Sequence, residues 1–232
     1  MKTNRQIAGQ KAKLDGHVFE NTVQQFLSNK IGTNIIVEGA SGTKVDVRSE
    51  DNKLRFSIKK TPTDLQVGLI TQKNFIDALN IKDNKILNFI SNFFGGDHVS
   101  EFNRHRKTSS EVGSKLSDHF LNFMNNNIMN ILKVAVTHGS LNQTDDVNYI
   151  LFPKVKHDAE SLQKINAKKM LKDFEANGIW TMTETTLHFH CHDVKVMSLQ
   201  MFGSGRKFSN GYHSLQFRIA CGKIKGTYVS AV

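Results

Sequence analysis

Two runs of alternating side chains, Lys44–Arg48 and Lys53–Lys60, constrain the fold of this chain more than any other feature. Val45 and Val47 alternate with Lys44, Asp46 and Arg48. After a short turn, Leu54, Phe56 and Ile58 alternate with Arg55, Ser57 and Lys59. Strand side chains change face at every residue, so the pair predicts a β-hairpin. Its apolar sets point into a core, and Asp46, Ser57 and Lys59 share the opposite face. A half-exposed hairpin with ordinary solvated charges would alternate in the same way, so the rest of the chain has to decide what this face is for.

Around the hairpin the periods switch between helix and strand. Lys11–Lys30 predicts a helix with Val18, Phe19, Val23, Phe26 and Leu27 as its apolar stripe. Asn34–Val37 predicts a short strand, and Pro62 breaks the second hairpin strand. Thr71–Leu79 and Lys82–Phe94 carry apolar residues at three- and four-residue spacing, with Gly95-Gly96 as a stop. Val99–Ser110 reads as a loop and Glu111–Leu132 as the longest helical region. A strand follows near Leu132–Thr137, and Asn148–Phe152 reads as another. Ala159–Asn177 predicts a basic amphipathic helix, and from Trp180 the period becomes two, for about three strands. The expected fold is mixed α/β: a central mixed sheet flanked by helices, with a C-terminal β region.

The length of 232 residues suits one compact domain or one domain with a small subdomain, and 38% hydrophobic with 22% charged residues is a globular composition. No apolar run is long enough to span a bilayer. The polar N-terminus lacks the apolar core of a signal peptide, so a cytoplasmic location is expected. Cys191 and Cys221 form no metal-binding spacing and read as buried free thiols.

The formal net charge is +10, which favours polyanionic partners, nucleic acid first. The last carboxylate is Asp193; beyond it Lys195, Arg206, Lys207, Arg218, Lys223 and Lys225 stand without an acidic residue. This one-sided segment is expected to face phosphate. Against such a partner, Asp46 facing Ser57-Ile58-Lys59 has the layout of a metal-dependent nuclease. The carboxylate binds a divalent cation, while the lysine orients the attacking water and offsets phosphate charge. Glu20 has two readings: a solvent-facing helical carboxylate, or a second carboxylate brought beside Asp46 by the helix.

The order Glu20, Asp46, Ser57-x-Lys59, with a helix before the hairpin, resembles the PD-(D/E)XK nucleases. The family usually has an acid where Ser57 stands; the MspI-like and GCGC-cutting type II restriction endonucleases have a neutral residue there. Similarity to those small enzymes extends through Ser41-Gly42-x-Lys44-x-Asp46, Lys82–Leu87, Phe94-Gly95-Gly96, Arg104–Lys107, Gly203–Lys207 and Ser214–Ile219. The resemblance implies a restriction-endonuclease-like fold in a single domain over 1–232, with 16–80 as catalytic core and 180–225 as DNA-reading β region. It implies Mg²⁺-dependent, sequence-specific cutting of double-stranded DNA. Asp46 and the Ile58 carbonyl are then expected at the metal, Lys59 as the catalytic lysine, Ser57 in the neutral position and Glu20 as the helical carboxylate. Expected DNA contacts are Lys44, Lys60, Arg104, Arg106, Lys107, Arg206, Lys207, Gln216 and Arg218. A homodimer and a cognate DNA methyltransferase are the implied partners. A repair or junction nuclease on the same fold, or a DNA-binding protein whose site has decayed at Ser57, is the rival reading.

Two further clusters stand out. His188, His190 and His192 alternate onto one face of an expected strand: either a transition-metal or phosphate-contacting group, or a polar face. Lys164, Lys168, Lys169 and Lys172 share one face of the expected basic helix, as a solvated face or a DNA-backbone contact.

Overall fold

The computed structural model describes residues 4–38, 44–95, 107–138, 146–201, 214–224 and 226–232. Helix α1 (Asn4–Ile31) leads into strand β1 (Ile35–Val37) and then the hairpin β2 (Val47–Ser49) and β3 (Arg55–Ile58). The hairpin is closed by Val47 opposite Phe56 and Arg48 opposite Arg55. Its turn is fixed by Asp51, whose carboxylate accepts from the Ser49 hydroxyl at 2.6 Å and the Lys53 amide at 3.1 Å. Asn52 supplies the left-handed residue there, with φ 56°. Strands β5 (Tyr149–Pro153), β6 (Leu162–Asn166) and β11 (Val229–Ala231) complete a six-stranded sheet in the order β1-β2-β3-β5-β6-β11. Only β3 and β5 pair in parallel there; the other neighbours are antiparallel.

A second sheet is antiparallel throughout. Its order is β4-β10-β9-β8-β7, built from β4 (Asp64–Thr71), β7 (Gly178–Met182), β8 (Leu187–Cys191), β9 (Val194–Met201) and β10 (Ser214–Ala220). The chain passes from the first sheet to the second within residues 59–63, between β3 and β4. The helices α2 (Gln72–Ala78), α3 (Asn84–Phe93), α4 (Ser109–Val112), α5 (Ser114–Asn126), α6 (Ile128–Leu132), α7 (Ala167–Asn177) and α8 (Cys221–Ile224) complete a mixed α/β fold of sheets flanked by helices. Among the described residues, no helix is long and apolar enough to cross a membrane.

Two apolar clusters hold these layers together. Phe19, Val23 and Leu27, on one stripe of α1, pack with Ile35, Val47, Phe56, Ile58 and Leu151. The larger cluster joins the inner face of the second sheet to α2, α3, α5, α6 and α7, and takes in Ile150, Phe152 and Ile165. Strand β5 thus sends Leu151 to one cluster and Ile150 and Phe152 to the other. Its unbroken apolar run follows from burial on both faces.

Several elements differ from the sequence expectation, each for a local reason. Val18 is exposed, because the buried stripe of α1 runs through Phe19, Val23 and Leu27, with Phe26 partly buried beside them. Strand β4 begins two residues after Pro62, in a stretch where the sequence pattern predicts no element. The region Glu111–Leu132 is interrupted at Gly113, whose φ of 98° ends α4, and again at Asn127; α1 is the longer helix. Lys133–His138 is a π-helical turn rather than a strand, and its Ala135, Val136 and Thr137 are consecutively buried. The expected helix from Ala159 begins only at Ala167. Leu162–Asn166 pairs with β5 instead, and the Asn166 side chain caps α7 by accepting from the Lys169 amide. Lys164 therefore lies on a strand, apart from Lys168, Lys169 and Lys172.

Candidate active site

The site grows from a bend at the mouth of the hairpin. Ladder pairing begins at Val47, and Asp46 sits in the bend before it. The bend sends Val45 into the larger core cluster and Val47 into the smaller one. It also points the Asp46 carboxylate across to β3, where Oδ2 accepts the Ile58 amide and the Ser57 hydroxyl, the latter at 3.1 Å. Ser57 is 2% exposed, so its hydroxyl is fixed by the protein. The Lys59 ammonium donates to that same hydroxyl at 2.8 Å. The structure thus brings together Asp46, Ser57 and Lys59, which the alternation had placed on one face. Ser57 links the other two by accepting from the lysine and donating to the carboxylate.

Glu20 joins them from α1. It lies with Lys59, Ile58, Lys60, Thr61, Asp64, Gln66 and Arg218 around a cleft of about 370 Å³ at the end of β3. Its carboxyl is pushed up from the usual range by burial first and by the negative charge of Asp46 second; His17, at 3.1 Å, and Lys59 act the other way. Two carboxyl groups that repel one another, with the Ile58 backbone beside Asp46, form a hard-oxygen set of the kind that suits Mg²⁺. The repulsion carries a measurable consequence. Because the folded chain holds the Glu20 carboxyl above its unfolded value, ionising it costs stability as pH rises through the folded value. Glu20→Gln is therefore expected to raise the melting temperature at pH 7–8, with the gain vanishing when both states are protonated at low pH. A variant no more stable than the wild type at pH 7–8 would contradict the repulsion.

Lys44, expected among the DNA contacts, instead directs its ammonium inward to the carbonyl oxygens of Val67 on β4 and Ala135 on the π-helical turn, the latter at 2.8 Å. These two segments approach so closely that a Cβ on Gly68 would stand 2.7 Å from the Ala135 oxygen. Burial, then the charge of Lys59, push the Lys44 ammonium down to about 7, against the pull of Asp46. Lys44 thus ties the approach to Asp46 to the second sheet.

The remaining expected contacts divide three ways. Lys60 and Arg218 line the cleft, and Arg218 Nη1 is paired with Asp64 at 3.0 Å. Gln216, expected to read bases, is 4% exposed and spends its amide within the protein, donating to Gln66 at 2.6 Å and accepting from Gln200 at 3.2 Å. Lys107 is exposed, beyond the far end of α3. Arg104, Arg106, Arg206 and Lys207 lie outside the described residues. Asp64 and Gln66 line the cleft and were missed in the sequence. The signal was present as the alternation Asp64-Leu65-Gln66-Val67, obscured by the neighbouring proline. Of the histidines, His188 and His190 lie on β8, but His192 leaves the strand for the turn to β9, so the three do not share a face.

No family model and no curated protein matches the chain. Among solved structures, HhaI endonuclease in complex with DNA is similar over 88% of this chain and 90% of its own, with 13% sequence identity and a TM-score of 0.34. The likeness is slight.

Proposed function

We propose that the chain is a Mg²⁺-dependent endonuclease making sequence-specific cuts in double-stranded DNA, as type II restriction enzymes of the PD-(D/E)XK kind do. The observation that carries this reading is the linked set Asp46–Ser57–Lys59, with Glu20 facing it across a cleft rimmed by Lys60 and Arg218. Phosphodiester hydrolysis needs an activated water and compensation of the charge that develops on the scissile phosphate. Asp46 and Glu20 would hold the metal, with the Ile58 carbonyl as a further oxygen. When bound, Mg²⁺ supplies Lewis acidity and a more acidic water. Lys59 then stands where its ammonium, steered by the Ser57 hydroxyl, can orient the water and offset phosphate charge. Ser57 acts by position, since both its hydrogen-bonding roles are engaged. The net charge of +10 suits a DNA substrate. Cutting both strands at a symmetric site takes either two active sites, as in a homodimer, or a monomer that nicks the strands in turn, and a restriction role calls for a cognate methyltransferase.

The test is incubation with phage DNA and Mg²⁺, followed by sequencing of the fragment ends. Discrete fragments with a common end sequence are expected. A smear would mean a nuclease without sequence preference, and intact DNA would leave only a binding protein.

Arg218 offers a second check. Its guanidinium stands at the cleft rim, shared with Asp64. If it meets a phosphate, Arg218→Ala lowers affinity for all sequences and flattens the log–log salt slope by about 0.9. If it meets a base, discrimination at one position relaxes by about 1–3 kcal/mol. Unchanged affinity, slope and specificity would remove Arg218 from the DNA-binding surface.

A further inference from the structure

Towards the β7 end of the second sheet, away from the β4 and β10 strands that line the cleft, three side chains with metal-ligating atoms converge. Asp173 on α7, Cys191 at the end of β8 and His192 in the turn to β9 place one donor atom each within 4.8 Å of the other two. His192 Nε2 is 3.2 Å from Asp173 Oδ2, and the Cys191 sulfur is 3.9 Å from the same oxygen. Bonds of about 2.0–2.3 Å in a tetrahedral zinc centre separate the ligands by about 3.3–3.8 Å, so little movement would be needed.

The surroundings already orient this set. Asn177 donates to Asp173 Oδ1 at 2.6 Å, and the Tyr228 hydroxyl donates to Oδ2. Partners of this kind fix the direction of a metal-binding carboxylate. Cys191 is buried and His192 is exposed, so the group has a closed floor and an open mouth. The turn itself is costly: His192 and Asp193, with φ of 51° and 60°, form a left-handed two-residue hairpin turn that Asn-Gly fills more easily. That backbone is what carries the imidazole off the strand face and over to α7.

We infer that Asp173, Cys191 and His192 form a binding site for a thiophilic transition metal, Zn²⁺ by the mix of sulfur, nitrogen and oxygen donors. Water would complete four-coordination. The thiol proton leaves to solvent as the Zn–S bond forms, the imidazole binds in its neutral form, and no redox change is involved. The ion would staple α7 to the β8–β9 turn, with Tyr228 bracing it from the C-terminal segment. The role is structural and independent of the cleft, whose hard-oxygen donors suit a different ion.

Cobalt(II) titration of the whole, metal-stripped chain tests this, because a Co–thiolate bond gives a near-ultraviolet charge-transfer band that an oxygen-lined site cannot produce. The expected result is one such band per chain, displaced by Zn²⁺, with Zn²⁺ raising the melting temperature. Cys191→Ser should abolish the band. His192→Ala, at an exposed position, should weaken Zn²⁺ binding by about ten-fold or more. His190→Ala, on the preceding strand, should leave both unchanged. Absence of the band, or a band that survives Cys191→Ser and so belongs to Cys221, would overturn the proposal, as would full-affinity Zn²⁺ binding by His192→Ala.

Discussion

Asp46→Ala and Lys59→Ala are each expected to cut DNA at least about 10³-fold more slowly than the wild type, while binding DNA within a few-fold of it. The two residues meet at one hydroxyl, 3.1 Å from the Asp46 carboxylate and 2.8 Å from the Lys59 ammonium. Loss of either breaks a different function. Without Asp46 the cleft loses its best-positioned anionic ligand. Without Lys59 the charge that builds on the phosphate has no ammonium beside it. Asp46 also accepts the Ile58 amide, and leaving that buried donor unpaired costs about 1–3 kcal/mol. Asp46→Asn keeps an acceptor and removes the charge, which separates chemistry from folding. Single-turnover cleavage with Mg²⁺, alongside DNA affinity and circular dichroism, reads the result. If either residue can be replaced with cleavage near the wild-type rate, the active site lies elsewhere.

The hairpin and the grouping of Asp46, Ser57 and Lys59 were legible in the sequence because strand alternation alone places them. The bend at Asp46 was not. Val45 and Val47 look equivalent in the alternating pattern, yet they enter different core clusters. Helix α3 was legible from its amphipathic spacing, and its start is marked by Asp83, which caps the Lys85 amide. Where tertiary contacts override local pattern, the sequence misleads. Leu162 and Ile165 have helical spacing but pair with β5. Val134-Ala-Val136 alternates in composition, yet Ala135 is needed as a carbonyl acceptor for Lys44 from a π-helical turn. Lys44 and Gln216 read as surface contacts because their type is polar. Only the fold reveals that their polar ends are spent inside the protein.

Ser57 is the residue whose neutral character should matter most for the metal. Its hydroxyl accepts from Lys59 and donates to Asp46, so it has little left to offer a cation. Burial and the negative charge of Asp46 push the Glu20 carboxyl above its usual range, so its charged form is disfavoured before a cation arrives, and Lys59 lies beside the same carboxylates. The free protein therefore presents a weak site, with Asp46 as its firm anionic ligand. A DNA phosphate adds both charge and an oxygen. Calorimetric titration with Ca²⁺ should show weak binding to the free chain and affinity higher by about ten-fold or more with cognate DNA, since each ten-fold is only about 1.4 kcal/mol. Ser57→Ala should keep substantial cleavage, because Asp46 retains the Ile58 amide and Lys59 retains its charge; the loss reflects only looser aim of the ammonium. Mg²⁺ dependence should shift little in Ser57→Ala and collapse in Asp46→Asn. Tight binding by the free protein that disappears in Ser57→Ala would place the hydroxyl on the metal, and the hydrogen-bonded bridge between Lys59 and Asp46 would then have to open before catalysis.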